Sequence, residues 1–307
     1  MTVQFGYACL NMTLNDQKPR VTTNRGMIKR TWKAKGLAYA SELALQNVGD
    51  LIKVIRWNNE HGVKVFRVSS CLFPWSSEYE LEDLPDWPRI ERLLKRAGDI
   101  AQEAGQRLSF HPGPFNVLAS PNPDVVVKAA KDLRTHGEIF DAMGLPQSHN
   151  AKINIHVGGA YGDREAAMER FCEEALKLPD CVIKRLTVEN DDRPNLYSTK
   201  MLYEGVSQRS GIPIVFDSHH FACGPEDVSY SESIDMAVST WPDGIRPTCH
   251  HSNSRQDEDP KAVRKAHSDW YRTPFESCGH SVDVVLECKM KELALFKYMD
   301  DFMKLAA

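Results

Sequence analysis

Short apolar runs recur along the chain, with amphipathic stretches between them. Eight runs rich in β-branched residues fall at 3–8, 63–69, 108–111, 153–157, 186–189, 212–217, 247–250 and 282–287. Their length is that of strands rather than helices. Between them, 41–61 (SELALQNVGDLIKVIRWNNEH) sets Leu43, Leu45, Val48, Leu51, Ile52 and Ile55 on one stripe, as a helix buried on one side requires. Residues 87–104, 124–143, 164–178, 198–210 and 289–305 repeat that periodicity. Pro123-Asp124 marks a helix start, and Gly62, Gly105, Gly144 and Gly211 follow helices as C-caps. Strands alternating with helices in this number predict an α/β fold of the (β/α)8 barrel type. A doubly wound open sheet competes. It needs a Gly-rich phosphate loop after an early strand. The nearest candidate, HVGGAYG at 156–162, is not GxGxxG and follows the fourth strand.

Composition adds bounds. The chain has 307 residues, 42% hydrophobic and 26% charged, which suits one large globular domain over 1–307. No linker or low-complexity tract interrupts it. No apolar run is long enough to span a bilayer, and MTVQFGYACLNMTL lacks the basic start of a secretory signal. The expected location is cytoplasmic, or nuclear in a eukaryote, and not secreted. Eight cysteines without a CxxC pair read as reduced thiols, with Cys249 and Cys288 in the core. A net charge of −4 argues mildly against a nucleic-acid partner. Yet residues 18–35 carry seven Lys/Arg and no acid. A solvated segment and a phosphate-contacting one explain that stretch equally well.

The chemistry lies at the strand ends. RLSFHP, INIHVGG, LTVEN, IVFDSHH, RPTCHH and VVLEC finish on His111, His156, Glu189, Asp217, His250 and Glu287. In a barrel those C-terminal ends share one mouth, where active sites sit. His220 and His267 lie just beyond two of them. A single strand-end His is more often a hydrogen-bonded structural residue, but the repeated position is hard to explain that way. Five His, two Glu and one Asp suit Zn²⁺, Mn²⁺ or Fe²⁺. Eight ligands exceed what one catalytic ion takes, so two or three ions are expected, with Glu189 and Glu287 as bridges. Paired ions are common equipment for phosphate-ester hydrolysis. His219 and His251 adjoin ligands and suit supporting roles. Tyr7, Asn11, Trp75, Pro114 and Phe115 fall near the mouth, where aromatics either stack on bases or pack on the rim.

These segments carry a resemblance. GYACLNMTL, NNEHGVKVFRVSSCLFP (58–74), RLSFHPG (107–113), NIHVGGAYG (154–162), RLTVENDD (185–192), IPIVFDSHH (212–220) and VDVVLECKMKE (282–292) resemble, in order, the UV damage endonucleases. The resemblance implies a TIM barrel related to endonuclease IV. It also implies a cluster of up to three divalent ions, typically manganese, with zinc or magnesium as alternatives. The implied activity is an ATP-independent nick 5′ of UV photoproducts in double-stranded DNA, with no protein partner. Carried over by position, His111, His156 and Glu189 would hold one ion. Glu189, Asp217, His250 and Glu287 would hold a second, and His220 and His267 a third. Glu189, Asp217, Glu287 and His250 would carry the catalysis. Tyr7 and Asn11 match positions at the lesion-binding groove. Two departures stand out. The family's usual Gln-Tyr wedge after HPG is Pro114-Phe115 here, and a lysine that some members carry two residues before the seventh-strand histidine is Thr248. An apurinic-site endonuclease and a sugar isomerase of the same barrel superfamily are the rival readings.

Overall fold

In a computed structural model, which describes residues 2–225 and 227–303, every predicted apolar run forms a strand. They are β1 (Gln4–Cys9), β2 (Val65–Val68), β3 (Arg107–Ser109), β4 (Ile153–Ile155), β5 (Leu186–Glu189), β6 (Ile214–Asp217), β7 (Thr248–His251) and β8 (Asp283–Leu286). All neighbours pair in parallel, in the order β3-β2-β1-β8-β7-β6-β5-β4. One bridge joins the two ends of that order. Phe110 N donates to Lys152 O at 2.9 Å, and Asn154 N donates to Phe110 O at 3.0 Å. The result is an eight-stranded parallel barrel.

Two strands stop two residues sooner than the sequence pattern predicts. β3 ends at Ser109, not at His111, because Pro112 offers no N–H and restricts the residue before it. β4 ends at Ile155, and Gly158 at φ +99° turns the chain just beyond His156. The ligand candidates of these two strands therefore stand past the ladder, at the mouth. Where β1 and β2 run side by side, a Cβ on Gly6 would fall 1.8 Å from the Val65 carbonyl oxygen. Only glycine permits that approach.

Helices Trp87–Glu103, Pro123–Ala142 and Arg164–Ala175 match the predicted periodic stretches within a few residues. The first helix differs. It spans Lys29–Glu60 rather than starting at residue 41, with a kink at Gly36 (φ +57°). Its opening turns are basic and lack an apolar stripe, so periodicity does not reveal them. The stretch predicted at 198–210 splits into Thr199–Leu202, a π-helical Tyr203–Ser207 and Gln208–Ser210. The last predicted helix forms as Lys291–Tyr298 and Met299–Met303; its expected end at residue 305 lies outside the described residues. No described helix is long and apolar enough to cross a membrane.

Alternation along the strands separates two interiors. Tyr7, Phe66, Leu108, Ile153, Ile155, Val188, Phe216, Cys249 and Leu286 face outward into the main core beneath the helices. Ala8, Val65 and Val285 form a small separate cluster on the other face, within the barrel. Apart from Gly6 and buried Val215, the remaining inward positions are mostly polar. Asn154, Thr187 and Thr248 occupy the middle of the barrel and are buried. Below them lie Arg107, Lys152 and Asp283. Above them lie the strand-end residues.

Candidate metal centre

Each element aims one side chain at the same volume. Glu189 is at the centre. Its Oε2 lies 3.2 Å from His111 Nε2 and 3.0 Å from His250 Nδ1, and its Oε1 lies 3.2 Å from His220 Nδ1. His250 Nδ1 is also 3.1 Å from Glu287 Oε1. Three overlapping groups result: His111, His156 and Glu189; Glu189, Asp217 and His220; and Asp217, His250 and Glu287. Within each group the donor atoms lie no more than 4.8 Å apart. Shared Glu189 and Asp217 make one connected cluster of the three.

The local sequence D-S-H-H explains how Asp217 and His220 arrive together. Asp217 caps the short helix Ser218–Cys223, its Oδ1 accepting from His219 N at 2.7 Å and His220 N at 2.8 Å. That leaves Oδ2 turned to the cluster. One turn on, His220 Nδ1 lies 2.9 Å from the Asn190 carbonyl oxygen. A Cβ on Gly224 would lie 2.3 Å from the Asp191 carbonyl oxygen, so the helix can sit this close to the end of β5 only with glycine there.

The donor set fits a divalent cluster on its hydrogen bonding. Asp217 Oδ2 and His250 Nε2 are buried with no partner at all, while Glu189 Oε1, His156 Nδ1 and His250 Nδ1 meet only oppositely charged neighbours, at 3.0–3.3 Å and without good hydrogen-bond geometry. Buried polar atoms are nearly always satisfied, so several orphans in one place need an explanation. Oxygen and imidazole nitrogen that converge on one volume with so few well-formed hydrogen bonds are what a hard or borderline cation takes up. The buried His, Glu and Asp residues can hold a metal ion.

Electrostatics agree. Burial would raise the Glu189 carboxyl, but His250 and His111 beside it outweigh burial and hold it well below its usual range. Burial likewise opposes ionisation of Glu287, yet Arg67 and His250 keep it strongly depressed. Burial lowers His111 to about 4, so it is neutral and able to ligate at pH 7. Burial pulls His156 down, but Asp191 overrides it and raises the ring to about 8. His220 is raised well above its usual value against burial, chiefly by Asp217. The ligand set is therefore charged as a cluster of carboxylates with nearby imidazoles, ready to exchange protons for cations.

A surrounding set of residues fixes the donors, and the sequence pattern does not single these out. Asp191 Oδ1 stands 3.3 Å from His156 Nδ1. Arg67 pairs with Glu287, and the Asn154 amide donates to Glu189. Asn190 clamps the ends of β5 and β6, donating to Asp217 O at 3.0 Å and accepting from Asp217 N at 2.8 Å. Such partners orient ligands. Two signals were available: Asp191 sits two residues after Glu189, and Arg67 is a charge inside the β-branched run VFRV. His219 and His251 face away from the cluster, toward the carbonyl oxygens of Lys265 and Thr273 at 3.2 and 3.1 Å.

His267 stands at the edge of this arrangement. Its Nε2 is 3.7 Å from Glu287 Oε2, and Ser252 Oγ holds its Nδ1 at 2.6 Å. It joins none of the three groups among the described residues. Among the described residues His220 groups with Glu189 and Asp217, and not with His267 as expected. The helix capped by Asp217 turns His220 toward Glu189 instead.

Comparison with known proteins decides the family. The family model described as UV-endonuclease UvdE matches residues 3–307. A UV DNA damage endonuclease of Bacillus cereus (strain B4264) is 32% identical over 312 residues, covering 98% of this chain and 95% of that protein. The chain belongs to the UvdE family of UV endonucleases. By that membership it is an endonuclease. A UV-damage endonuclease of Schizosaccharomyces pombe is 35% identical over 311 residues, 96% of this chain and 50% of that longer protein. The crystal structure of SacUVDE superposes with a TM-score of 0.85 at 26% identity and 99% coverage of both chains. Endonuclease IV from Thermus thermophilus (TM-score 0.56, 12% identity, 83% of this chain and 94% of that one) shares the fold.

Loops beyond the strand ends line the approach to the cluster. Phe115 is 88% exposed on the loop after β3. Pro114 beside it lines a cleft of about 570 Å³ that also touches His156, Tyr161, Arg193, Leu196 and His220. This cleft opens directly onto the cluster. A larger cavity of about 730 Å³ lies behind the helix Ser218–Cys223, lined by His219, Tyr230 and His251, and reaches none of the cluster ligands. Two residues expected at the lesion groove are not there. Tyr7 is 0% exposed and Asn11 2%. Tyr7 lies on the outward face of β1, its hydroxyl donating to Asn58 Oδ1 at 2.7 Å and accepting from Asn11 Nδ2 at 3.0 Å. Asn11 Oδ1 caps the turn Met12–Asn15. Their polar atoms are spent inside the protein, so both are structural here.

Proposed function

We propose that this chain nicks duplex DNA immediately 5′ of UV photoproducts, both cyclobutane pyrimidine dimers and 6-4 photoproducts, leaving a 3′-hydroxyl and a 5′-phosphate. The observation that carries this reading is the mouth cluster of converging oxygen and imidazole donors in a chain of this family. His111, His156, Glu189, Asp217, His220, His250 and Glu287 would hold two or three divalent ions, with manganese as the metal and His267 as an outer contributor. When bound, such ions supply the positive charge that activates water and stabilises the leaving oxygen.

The chain's own residues set the rest. Arg67, Asn154 and Asp191 hold Glu287, Glu189 and His156 in place before substrate arrives, which keeps reorganisation small. Phe115 is the residue that enters the duplex. It offers an aromatic face without a hydroxyl, so it fills a stack but cannot read hydrogen bonds. The cleft beside His156 and His220 receives the extruded bases. Extrusion costs a few kcal/mol and less for a distorted, weakly paired lesion, so distortion supplies part of the selectivity.

The test uses two labelled duplexes, one with a single thymine dimer and one with an abasic-site analogue, incubated with protein and Mn²⁺. Cleavage of the dimer strand one phosphodiester 5′ of the lesion, with a ligatable 3′-hydroxyl, supports the reading. Faster cleavage of the abasic duplex would make this an apurinic-site endonuclease instead.

A further inference from the structure

The seven Lys/Arg of residues 18–35 stand in a chain of net charge −4, so the remaining residues carry −11. In the structure this stretch divides. Arg25 turns inward and pairs with buried Asp50 at 2.6 Å. Lys18, Arg20, Lys29, Arg30, Lys33 and Lys35 are all exposed. Among the described residues, no carboxylate lies within 4.0 Å of any of these six.

The stretch is not a loose tail. Thr22 and Thr23 are buried, and Thr23 Oγ1 donates to the carbonyl of Cys9 at the end of β1 at 3.0 Å. Asn47 Nδ2 donates to Arg25 O at 3.0 Å, and Trp75 Nε1 donates to Met27 O at 2.9 Å. Trp32 stacks on Trp75 with 5.8 Å between ring centres. The cations are therefore carried on a fixed shelf at the mouth end of the barrel.

The shelf adjoins the loop that carries Phe115. Trp75 ties it to the loop after β2, and Ser70 of that loop donates to the His111 carbonyl at 2.7 Å. Moving round the rim, the order is basic shelf, β2 loop, then Phe115. Arg20 donates to Asn15 Oδ1 at 2.7 Å and Lys35 lies 4.0 Å over the Tyr39 ring, but local stability does not explain the charges at Lys29 and Lys33. Lys29 and Lys33 are like charges one turn apart on a helix whose first turn has no acid, an arrangement that mildly disfavours the helix. Ile28 beside them is 65% exposed. A polyanion lying across the mouth would relieve the repulsion.

We infer that Lys29, Arg30 and Lys33, with Lys18, Arg20 and Lys35 around them, bind the phosphate backbone of the duplex away from the lesion. This rests on the proposed reading of the mouth as a DNA-cleaving site and extends its footprint to a surface that does no chemistry. Contacts of this kind carry no sequence or lesion information and release counterions on binding.

The experiment measures equilibrium binding of undamaged and dimer-containing duplexes over a range of salt. The triple variant K29Q/R30Q/K33Q is compared with the wild type and with K95Q/K177Q/K184Q, which removes as much charge elsewhere on the surface. Loss of three phosphate contacts lowers the slope of log affinity against log salt by about 2–3, at about 0.9 per contact. The same drop is expected on both duplexes, and the single-turnover nicking rate at saturating protein stays within about twofold of wild type. The charge-keeping variant K29R/R30K/K33R retains the full slope. An unchanged slope in the first triple, or the same drop in the control triple, would overturn the inference. Failure of the wild type to cut dimer DNA would sink the proposed reaction instead, while binding to undamaged duplex still tests the shelf.

Discussion

The two ends of the barrel interior are both charged and both buried, yet they are built to opposite rules. At the lower end, Arg107 donates to Asp283 at 2.8 Å, to Arg246 O at 2.6 Å, to His149 O at 2.8 Å and to Asn150 O at 2.9 Å. That guanidinium's donors are taken up within the protein. At the mouth, Asp217 Oδ2 and His250 Nε2 are buried with no partner, and Glu189 Oε1 and His250 Nδ1 meet only charged neighbours at 3.0–3.2 Å in poor hydrogen-bond geometry. Closed hydrogen bonding is what structural charges need, because a buried ion is tolerated only when paired. Open hydrogen bonding is costly; single orphans such as Asn116 Oδ1 and Thr199 Oγ1 lie elsewhere, but among the described residues several converge only at the mouth, where a ligand would close them. Charge and burial alone do not mark the site. That convergence does.

The sharpest way to break this comparison is at Glu189. Glu189→Gln keeps the shape and removes the central negative charge. Nicking of dimer DNA is expected to fall by about a thousandfold or more, with damaged-DNA binding largely retained. Full activity in this variant would remove the cluster from the mechanism.

Lys152 tests the lower end. It is 1% exposed, and burial, with Arg107 and Arg67 adding to it, lowers its amine to about 7. The folded value lies below the unfolded one of 10.5. Between them the unfolded chain holds more protons, so this residue's cost is greatest below pH 7 and fades as pH rises toward 10.5. Lys152→Met should stabilise the metal-free protein by about 2–4 kcal/mol at pH 6, with the gain shrinking by pH 9. Urea melts at the two pH values measure it. A destabilisation that does not vary with pH would mean that the amine is paired and that the lower end is more tightly closed still.

Asp191 lies between the two rules, a carboxylate spent on holding a ligand. Asp191→Asn should weaken metal binding by about 10–100-fold, read by calorimetry with Mn²⁺, with little change in melting temperature of the metal-free protein. The smallest effect is expected at Phe115. Because it is fully outside the core, Phe115→Ala should leave stability within about 0.5 kcal/mol. It should reduce discrimination between damaged and intact duplex by up to about tenfold while the chemical step holds. Unchanged discrimination would remove its wedge role.

The barrel was legible in the sequence because β-branched runs and helical stripes alternate without interruption, and because the pattern's period does not depend on long-range contacts. The candidate ligand positions were legible for the same reason: His111, His156, Glu189, Asp217, His250 and Glu287 all lie within two residues of a strand's C-terminal end. What was hidden depended on direction. Tyr7 lies in the right segment, but a one-residue step on a strand reverses the side chain, and its hydroxyl points to Asn58 rather than to the groove. His267 lies on the irregular stretch between β7 and β8, where no period fixes its distance from Glu287. Asp191 and Arg67 act through another residue, so their spacing resembles no ligand motif. The opening turns of the helix Lys29–Glu60 escaped because basic residues leave no apolar stripe.

The proposal that matters most is that the converging donors at the mouth form a metal centre that cuts UV-damaged DNA. The most direct test is UV-irradiated supercoiled plasmid treated with metal-stripped protein, then with the same protein resupplied with Mn²⁺. The account predicts no nicks from the stripped protein and none on unirradiated plasmid. It predicts nicks on irradiated plasmid once Mn²⁺ is added, abolished again by excess chelator. Nicking of irradiated plasmid that persists in excess chelator would contradict it.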